Sequence, residues 1–297
     1  MTDAEYRAAG KRYKEAVEAG LESIRNNAAH VHPELLKAMF YSVDVGGKRI
    51  RPCLLLAVCE ALGGDVSAAM PFACSLEMIH TYSLIHDDLP AIDNDDMRRG
   101  KPSNHKVFGE GMAVFAGCGL LSLAFENMIA ACIGSRDEGK LLAMREIAIR
   151  SGAGGMLSGQ AADILSEGTG SADPGLLRYI HEHKTADMLT AAVIAGAYLA
   201  HAGEAELASL REYSAQLGLL FQITDDILDV TGDDKLMGKT LGKDEAEGKL
   251  TYVRLLGLEG AKNAASEAAS KAFSALEGLE NCGYLKAAVR DILSRSN

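Results

Sequence analysis

The sequence holds no tryptophan, only seven phenylalanines, nine tyrosines and six prolines in 297 residues. Few aromatic and β-branched side chains leave little from which to build a sheet, and few prolines leave long helices uninterrupted. Positive charge is also scarce: 30 Lys and Arg stand against 41 Asp and Glu, a net charge of −11. That balance argues against a nucleic-acid partner gripped through bulk charge, although a local basic patch is still allowed. No C-x-x-C pair or Cys–His cluster occurs. The six cysteines, Cys53, Cys59, Cys74, Cys118, Cys132 and Cys282, lie among apolar residues, the pattern of buried free thiols in a reducing compartment rather than of a zinc site. No membrane span is expected, because a long apolar, uncharged stretch, Gly111 to Phe125, meets Glu126 and Asn127 before the ~18–20 residues that cross a bilayer. It reads as a buried helix. The opening residues are charged and helical in pattern, without the apolar centre of a secretory signal, so a cytoplasmic protein is expected.

What is abundant points to helix. Alanine and leucine supply more than a quarter of the chain, and apolar residues recur at helical spacing, as at Leu35, Met39 and Phe40 or at Leu141, Met144 and Ile147. Breaks are predicted at His32-Pro33, Gly46-Gly47, Gly63-Gly64, Arg99 to Pro102, Gly134, Gly168 to Pro174, Gly232 to Gly248 and Asn281 to Gly283. The expectation is an all-α fold of about ten to twelve helices in one domain over 1–297. A chain of this length buries a large core without disulfides or a structural metal.

Two aspartate clusters stand out. The first is HDDLPAIDNDD, His86 to Asp96; the second is QITDDILD, Gln222 to Asp229. In the second, a helix stacks Asp225 and Asp229 on one face, with Asp226 about 100° away. In the first, Pro90 disfavours helix at the residue before it, so the chain is predicted to loosen and swing Asp93 back toward Asp87. Ionised carboxylates in partly dry surroundings must pair, protonate or bind metal. Clusters of oxygen ligands with spare coordination positions suit Mg²⁺ shared with substrate phosphates. Taken singly, either cluster also reads as a solvated acidic helix end. An EF-hand at Asp93-Asn94-Asp95 fails, because Met97 takes the fifth loop position.

Cations accompany both clusters. Gly46-Gly47-Lys48-Arg49-Ile50-Arg51-Pro52 sets three of them at a glycine turn before an apolar helix, a credible diphosphate clamp. Arg98 and Arg99 follow the first cluster, Lys184 lies in His183-Lys184-Thr185, and Lys239 and Lys249 follow the second. Such a distribution in an acidic chain fits two anions to be held.

The ordered segments GGKRIRP, EMIHTYSLIHDDLPAIDNDDMRRGKPSNHKVFGE, GQAADILSEG, HKT, FQITDDILD, GK and GKLTY resemble the all-trans polyprenyl diphosphate synthases. The likeness is greater to short-chain bacterial farnesyl diphosphate synthases and plastid-type geranylgeranyl diphosphate synthases, and it runs from about Leu35 to Tyr252. The resemblance implies the isoprenoid synthase fold, helices around a deep central cavity, and a homodimer. It implies Mg²⁺ ligands at Asp87, Asp93 and Asp225, with Asp88 supporting and Asp229 in the outer shell, and three ions bridging protein and allylic diphosphate. By the same likeness Arg98, Lys184 and Lys239 hold that diphosphate, and Lys48, Arg51, His80 and Arg99 form the pocket for isopentenyl diphosphate. Thr185 and Gln222 flank the reacting carbons, while Lys249 and Asp163 match family positions of less defined role. Val253 stands where many relatives carry Pro, and Asn94 where some bacterial members carry Asp.

The implied reaction is ionisation of the allylic C–O bond, attack by the isopentenyl double bond, and loss of a proton. Product length is read from Tyr82 and Ser83 upstream of Asp87. Tyr82 lies roughly 7.5 Å along the axis from Asp87 at ~1.5 Å per residue, the depth of a ten-carbon tail. A ring there predicts a C15 product, whereas C20 synthases commonly carry a smaller residue; the plain alternative is that Tyr82 is core. A terpene cyclase and a silent partner subunit are disfavoured because both aspartate motifs are intact.

Overall fold

A computed structural model describes residues 1–167, 173–231 and 250–296. Helix α1 (Asp3–Asn27) starts on a reciprocal cap, the Glu5 N–H donating to Thr2 Oγ1 while the Glu5 carboxylate accepts the Thr2 N–H. Helix α2 (Pro33–Asp44) opens on Pro33, where a missing N–H costs nothing. Helices α3 (Ile50–Ala61) and α4 (Val66–Asp87) are buried along most of their length. Then come a two-residue hairpin, α5 (Asn104–Phe108), α6 (Glu110–Cys132), α7 (Glu138–Ser151) and α8 (Met156–Ser166). Helix α9 (Pro174–Ile180) runs through a wide π-helical turn, His181–Ala186, into α10 (Asp187–Leu199). Helices α11 (Glu204–Thr231), α12 (Tyr252–Ala275) and α13 (Gly283–Leu293) complete the bundle.

The all-α expectation holds, with thirteen α-helices among the described residues. Counting the continuous α9–α10 rod once gives twelve. The predicted breaks at Gly46, Gly63 and Gly134 fall between helices, and those at Pro33 and Gly283 fall on the first residues of α2 and α13. Four others were not expected: Gly109, residues 152–155, residues 200–203 and a kink in α12 at Gly257, where φ is 71°. Nor was the hairpin, in which Met97–Arg98 pairs antiparallel with Lys101–Pro102. Its turn residues Arg99 and Gly100 both have positive φ, 52° and 76°, as a two-residue hairpin turn requires.

Helix α10 forms the centre. Every residue except Tyr198 is buried, against α3, α7 and α11, so it is apolar all round rather than on one stripe. Helix α6 corrects the reading of a buried helix. It is long and apolar enough to cross a membrane, yet it buries only the face carrying Ala113, Ala116, Leu120, Leu123 and Met128, while Val114, Phe115 and Ile129 are exposed. All six cysteines are free, but Cys118 is exposed and Cys132 partly so, which limits the buried-thiol reading to the other four.

Candidate active site

The first aspartate cluster is shaped by where α4 stops. The helix ends at Asp87, Pro90 prevents its continuation, and the chain folds back so that the Asp93 N–H donates to the Asp87 carbonyl at 2.8 Å. The return of Asp93 predicted from Pro90 is therefore present. Burial pushes the Asp87 carboxyl up to about 7; Lys184 and Arg98 pull it down, while Asp93 and Asp88 push it further up. A carboxylate so placed gains more from an added cation than an exposed one does.

Asp88 has a different setting. Its side chain is 3% exposed and accepts the Arg98 Nε–H at 2.9 Å, and Arg98 also reaches Asp95 at 3.3 Å. Asp88 and Arg98, read from sequence as a supporting metal residue and a diphosphate cation, are given to each other here.

The second cluster sits near the end of α11. Asp225 and Asp229 share a partly open face, as their spacing predicts, and Asp226 is buried. Sequence reasoning assigned Asp226 no role, yet its Oδ1 accepts Gln222 Nε2–H at 2.9 Å and its Oδ2 accepts the Tyr252 N–H at 2.8 Å. Gln222 Oε1 in turn accepts the Thr185 hydroxyl at 2.8 Å. The neighbouring Lys184 Nζ meets Asp163 at 2.5 Å. The π-helical turn thus presents Lys184 to α8 and Thr185 to α11. Lys184 also acts on Asp87 of the first cluster, and Asp225 of the second acts on Arg51.

Arg51, His80 and Arg99 gather around the Gly46-Gly47 turn. Arg51 Nη1 lies 3.3 Å from His80 Nε2, and the buried Arg51 Nε has no partner. Burial drives the His80 pKa well below its ordinary value, and Arg51 and Arg99 lower it further. Since guanidinium only donates, neutral His80 accepts on Nε2. Arg99 donates to the Gly46 carbonyl and lies so close to Gly47 that a Cβ there would sit 2.6 Å from Arg99 Nη1. The clamp uses fewer cations than expected. Arg49 turns inward to Glu77 at 2.7 Å, both side chains 2% exposed, and its other nitrogen donates to the Val43 carbonyl at 2.7 Å. Lys48 is exposed. Lys239 and Lys249 lie outside the described residues.

Residues 32–292 match the Polyprenyl synthetase family. The chain belongs to that family. It is 51% identical over 248 residues to a putative geranylgeranyl pyrophosphate synthase 8 of Arabidopsis thaliana, covering 82% of this chain and 69% of that one. It is 49% identical to a heterodimeric geranylgeranyl pyrophosphate synthase large subunit 2 of the same plant, covering 82% and 65%. Among solved structures, an FPP/GFPP synthase from Zymomonas mobilis matches with TM-score 0.82 at 33% identity, over 96% of this chain and 99% of that one. A geranyltransferase from Legionella pneumophila matches with TM-score 0.89 at 30% identity, over 99% and 98%. As a polyprenyl synthetase the chain is a prenyltransferase of isoprenoid biosynthesis, with the helical fold of these neighbours.

The carboxylates of this polyprenyl synthetase fit Mg²⁺. The donors are hard oxygens, and burial, with Asp93 and Asp88 nearby, holds Asp87 at a raised pKa. No three His, Cys, Asp or Glu side chains close into a metal cage among the described residues. A pH effect follows. Below about 7 a proton occupies Asp87 and competes with metal; above it the carboxylate is ionised and unbalanced. Mg²⁺ should therefore raise the Tm more at pH 8 than at pH 6, measured by thermal unfolding with and without the ion. An equal shift at both pH values would detach Asp87 from the metal.

Upstream on α4, Tyr82 is buried, its ring edge-on to His86 with centroids 5.6 Å apart. Burial, with Asp87 adding to it, pushes the phenol up to about 12, so Tyr82 is an uncharged ring. His86 is held in turn through Nε2 against the Val114 carbonyl of α6 at 3.2 Å. The Ser83 hydroxyl donates to the His80 carbonyl at 3.0 Å and is spent on its own helix.

Proposed function

We propose that this prenyltransferase condenses isopentenyl diphosphate with dimethylallyl and geranyl diphosphates and releases mainly farnesyl diphosphate. The observation that carries this reading is the buried ring of Tyr82 five residues before Asp87, braced by His86. Asp87, Asp93 and Asp225 hold the metal side, and Asp229 backs Asp225. Three Mg²⁺ ions, when bound, neutralise the leaving diphosphate and so ease rupture of the allylic C–O bond. Lys184 exchanges its Asp163 contact for a diphosphate oxygen, and Lys239 joins it there. Arg51, Arg99 and Lys48 grip the isopentenyl diphosphate, with neutral His80 orienting Arg51. Thr185 and Gln222 turn their dipoles toward the developing carbocation. The isopentenyl double bond attacks that carbon, and the displaced diphosphate takes the proton, so no protein nucleophile is needed.

The names of the Arabidopsis thaliana relatives favour a second reading, a geranylgeranyl diphosphate product. Incubation with Mg²⁺, isopentenyl diphosphate and each allylic diphosphate from about five to fifteen carbons, followed by chromatography, separates the two. The reading requires C15 to accumulate and farnesyl diphosphate to be a poor substrate; a dominant C20 product favours the second.

We also propose a homodimer. The exposed side of α6, with Phe115 65% exposed, Val114 next to it and Ile129 about four turns further along, is an apolar stripe that a second copy would cover. Phe115→Asp should convert a dimer to a monomer by light scattering. A monomeric parent chain would refute the dimer, and a variant that stays dimeric would move the seam away from α6.

A further inference from the structure

We propose that Gly159 on α8 and Gly218 on α11 are positioning residues whose missing side chains hold open the π-helical turn that aims Lys184 and Thr185. The turn is wide by its own hydrogen bonding, since the Asp187 N–H donates to the Glu182 carbonyl five residues back. Nothing inside His181–Ala186 forces this, for the segment holds neither proline nor glycine. The cause lies on the two helices that press on it.

From α8, a Cβ on Gly159 would fall 2.1 Å from the Lys184 backbone nitrogen and 2.7 Å from the His183 carbonyl carbon. From α11, a Cβ on Gly218 would fall 2.3 Å from Ala186 Cβ and 2.7 Å from Ala186 Cα. Neither helix can approach so closely with a side chain at those positions, because backbone cannot yield as a flexible side-chain tip can. Four residues on, each helix presents a polar group on the same face: Asp163 takes Lys184 at 2.5 Å, and Gln222 takes the Thr185 hydroxyl at 2.8 Å. The same device, a glycine followed one turn later by a polar partner, therefore grips the turn from both sides. Close approach at the glycine brings the polar partner within reach of two residues adjacent in sequence.

This rests on the reading that Lys184 and Thr185 face the allylic substrate. Gly218→Ala should drive the turn off Gln222 and lower kcat roughly 10–100-fold, as displacement by about an ångström does. The KM for isopentenyl diphosphate, held by Arg51, His80 and Arg99 on other elements, should stay within about twofold, a split that general misfolding would not produce. The pair Gly218→Ala with Ala186→Gly removes the closer clash, at 2.3 Å with the Ala186 Cβ, and leaves the one at 2.7 Å with the Cα of residue 186, so it should restore part of kcat. Lys184→Ala serves as control. Wild-type kcat in Gly218→Ala, or a loss shared equally with the isopentenyl KM, overturns the positioning role. A loss in Gly218→Ala that the paired change fails to recover does the same. If Lys184→Ala turns over normally, the reading of Lys184 fails instead. Should Gly218→Ala not fold, the paired variant alone decides: a kcat well above that of Lys184→Ala supports the positioning role, and one no higher overturns it.

Discussion

Asp87→Ala is expected to lower turnover roughly 100–1000-fold, the cost of losing one contributor to stabilisation of the leaving group's charge, here a ligand of the ion that supplies it, while the protein stays folded. The second half follows from the first cluster's electrostatics. The folded pKa of Asp87 is raised to about 7 by burial, so at neutral pH and above its ionised form opposes folding. That opposition is absent below the unfolded pKa of about 4 and grows as pH rises through the folded value. Deleting the carboxylate should leave the metal-free Tm at pH 8 equal to the parent's or above it. Asp88→Ala should behave oppositely, because it strips Arg98 of its main partner in a nearly inaccessible place. It should lose stability, with activity falling through the displaced hairpin. Steady-state turnover and thermal unfolding of both variants check this pair. Asp87→Ala with turnover within about tenfold of the parent would remove Asp87 from the chemistry.

Tyr82→Ala should lengthen the product from C15 to C20 and beyond. The ring is 4% exposed and edge-on to His86, so its removal opens space one turn upstream of Asp87 and frees His86 of its ring contact. Truncating a buried aromatic also costs about 3–5 kcal/mol, the lost burial plus the cavity left behind. An elongating tail that fills the cavity recovers part of that cost, so longer products should stabilise the variant more than the parent. Chromatography of products from geranyl and farnesyl diphosphates reads the outcome. An unchanged C15 product would return Tyr82 to the status of core packing.

Features set by neighbours along the chain were legible in advance. Pro90 predicted the turn that returns Asp93 to Asp87, and the spacing of Asp225 and Asp229 predicted their shared open face. Features set by distant contacts were not. Arg49 looks like its neighbours Lys48 and Arg51 in a basic motif, and only the buried Glu77 on α4 shows that it is structural. Removing that arginine would leave Glu77 unpaired, at about 3–5 kcal/mol. Asp226 was passed over for a similar reason: its offset from Asp225 was visible, but its partner is the backbone of Tyr252 in another helix. The π-helical turn carries no local signal, since the glycines that admit it are Gly159 and Gly218, remote in sequence. Helix α6 misled in the other direction. An apolar composition does not distinguish a helix covered on every side from one that leaves a stripe exposed.

A crystal structure with Mg²⁺ and an unreactive allylic diphosphate mimic tests the central claim most directly. Metal density should bridge the mimic's phosphate oxygens to Asp87, Asp93 and Asp225, with Lys184 moved from Asp163 onto the diphosphate. A mimic bound with no ion between it and those carboxylates, or ions and mimic lodged elsewhere on the bundle, would contradict it.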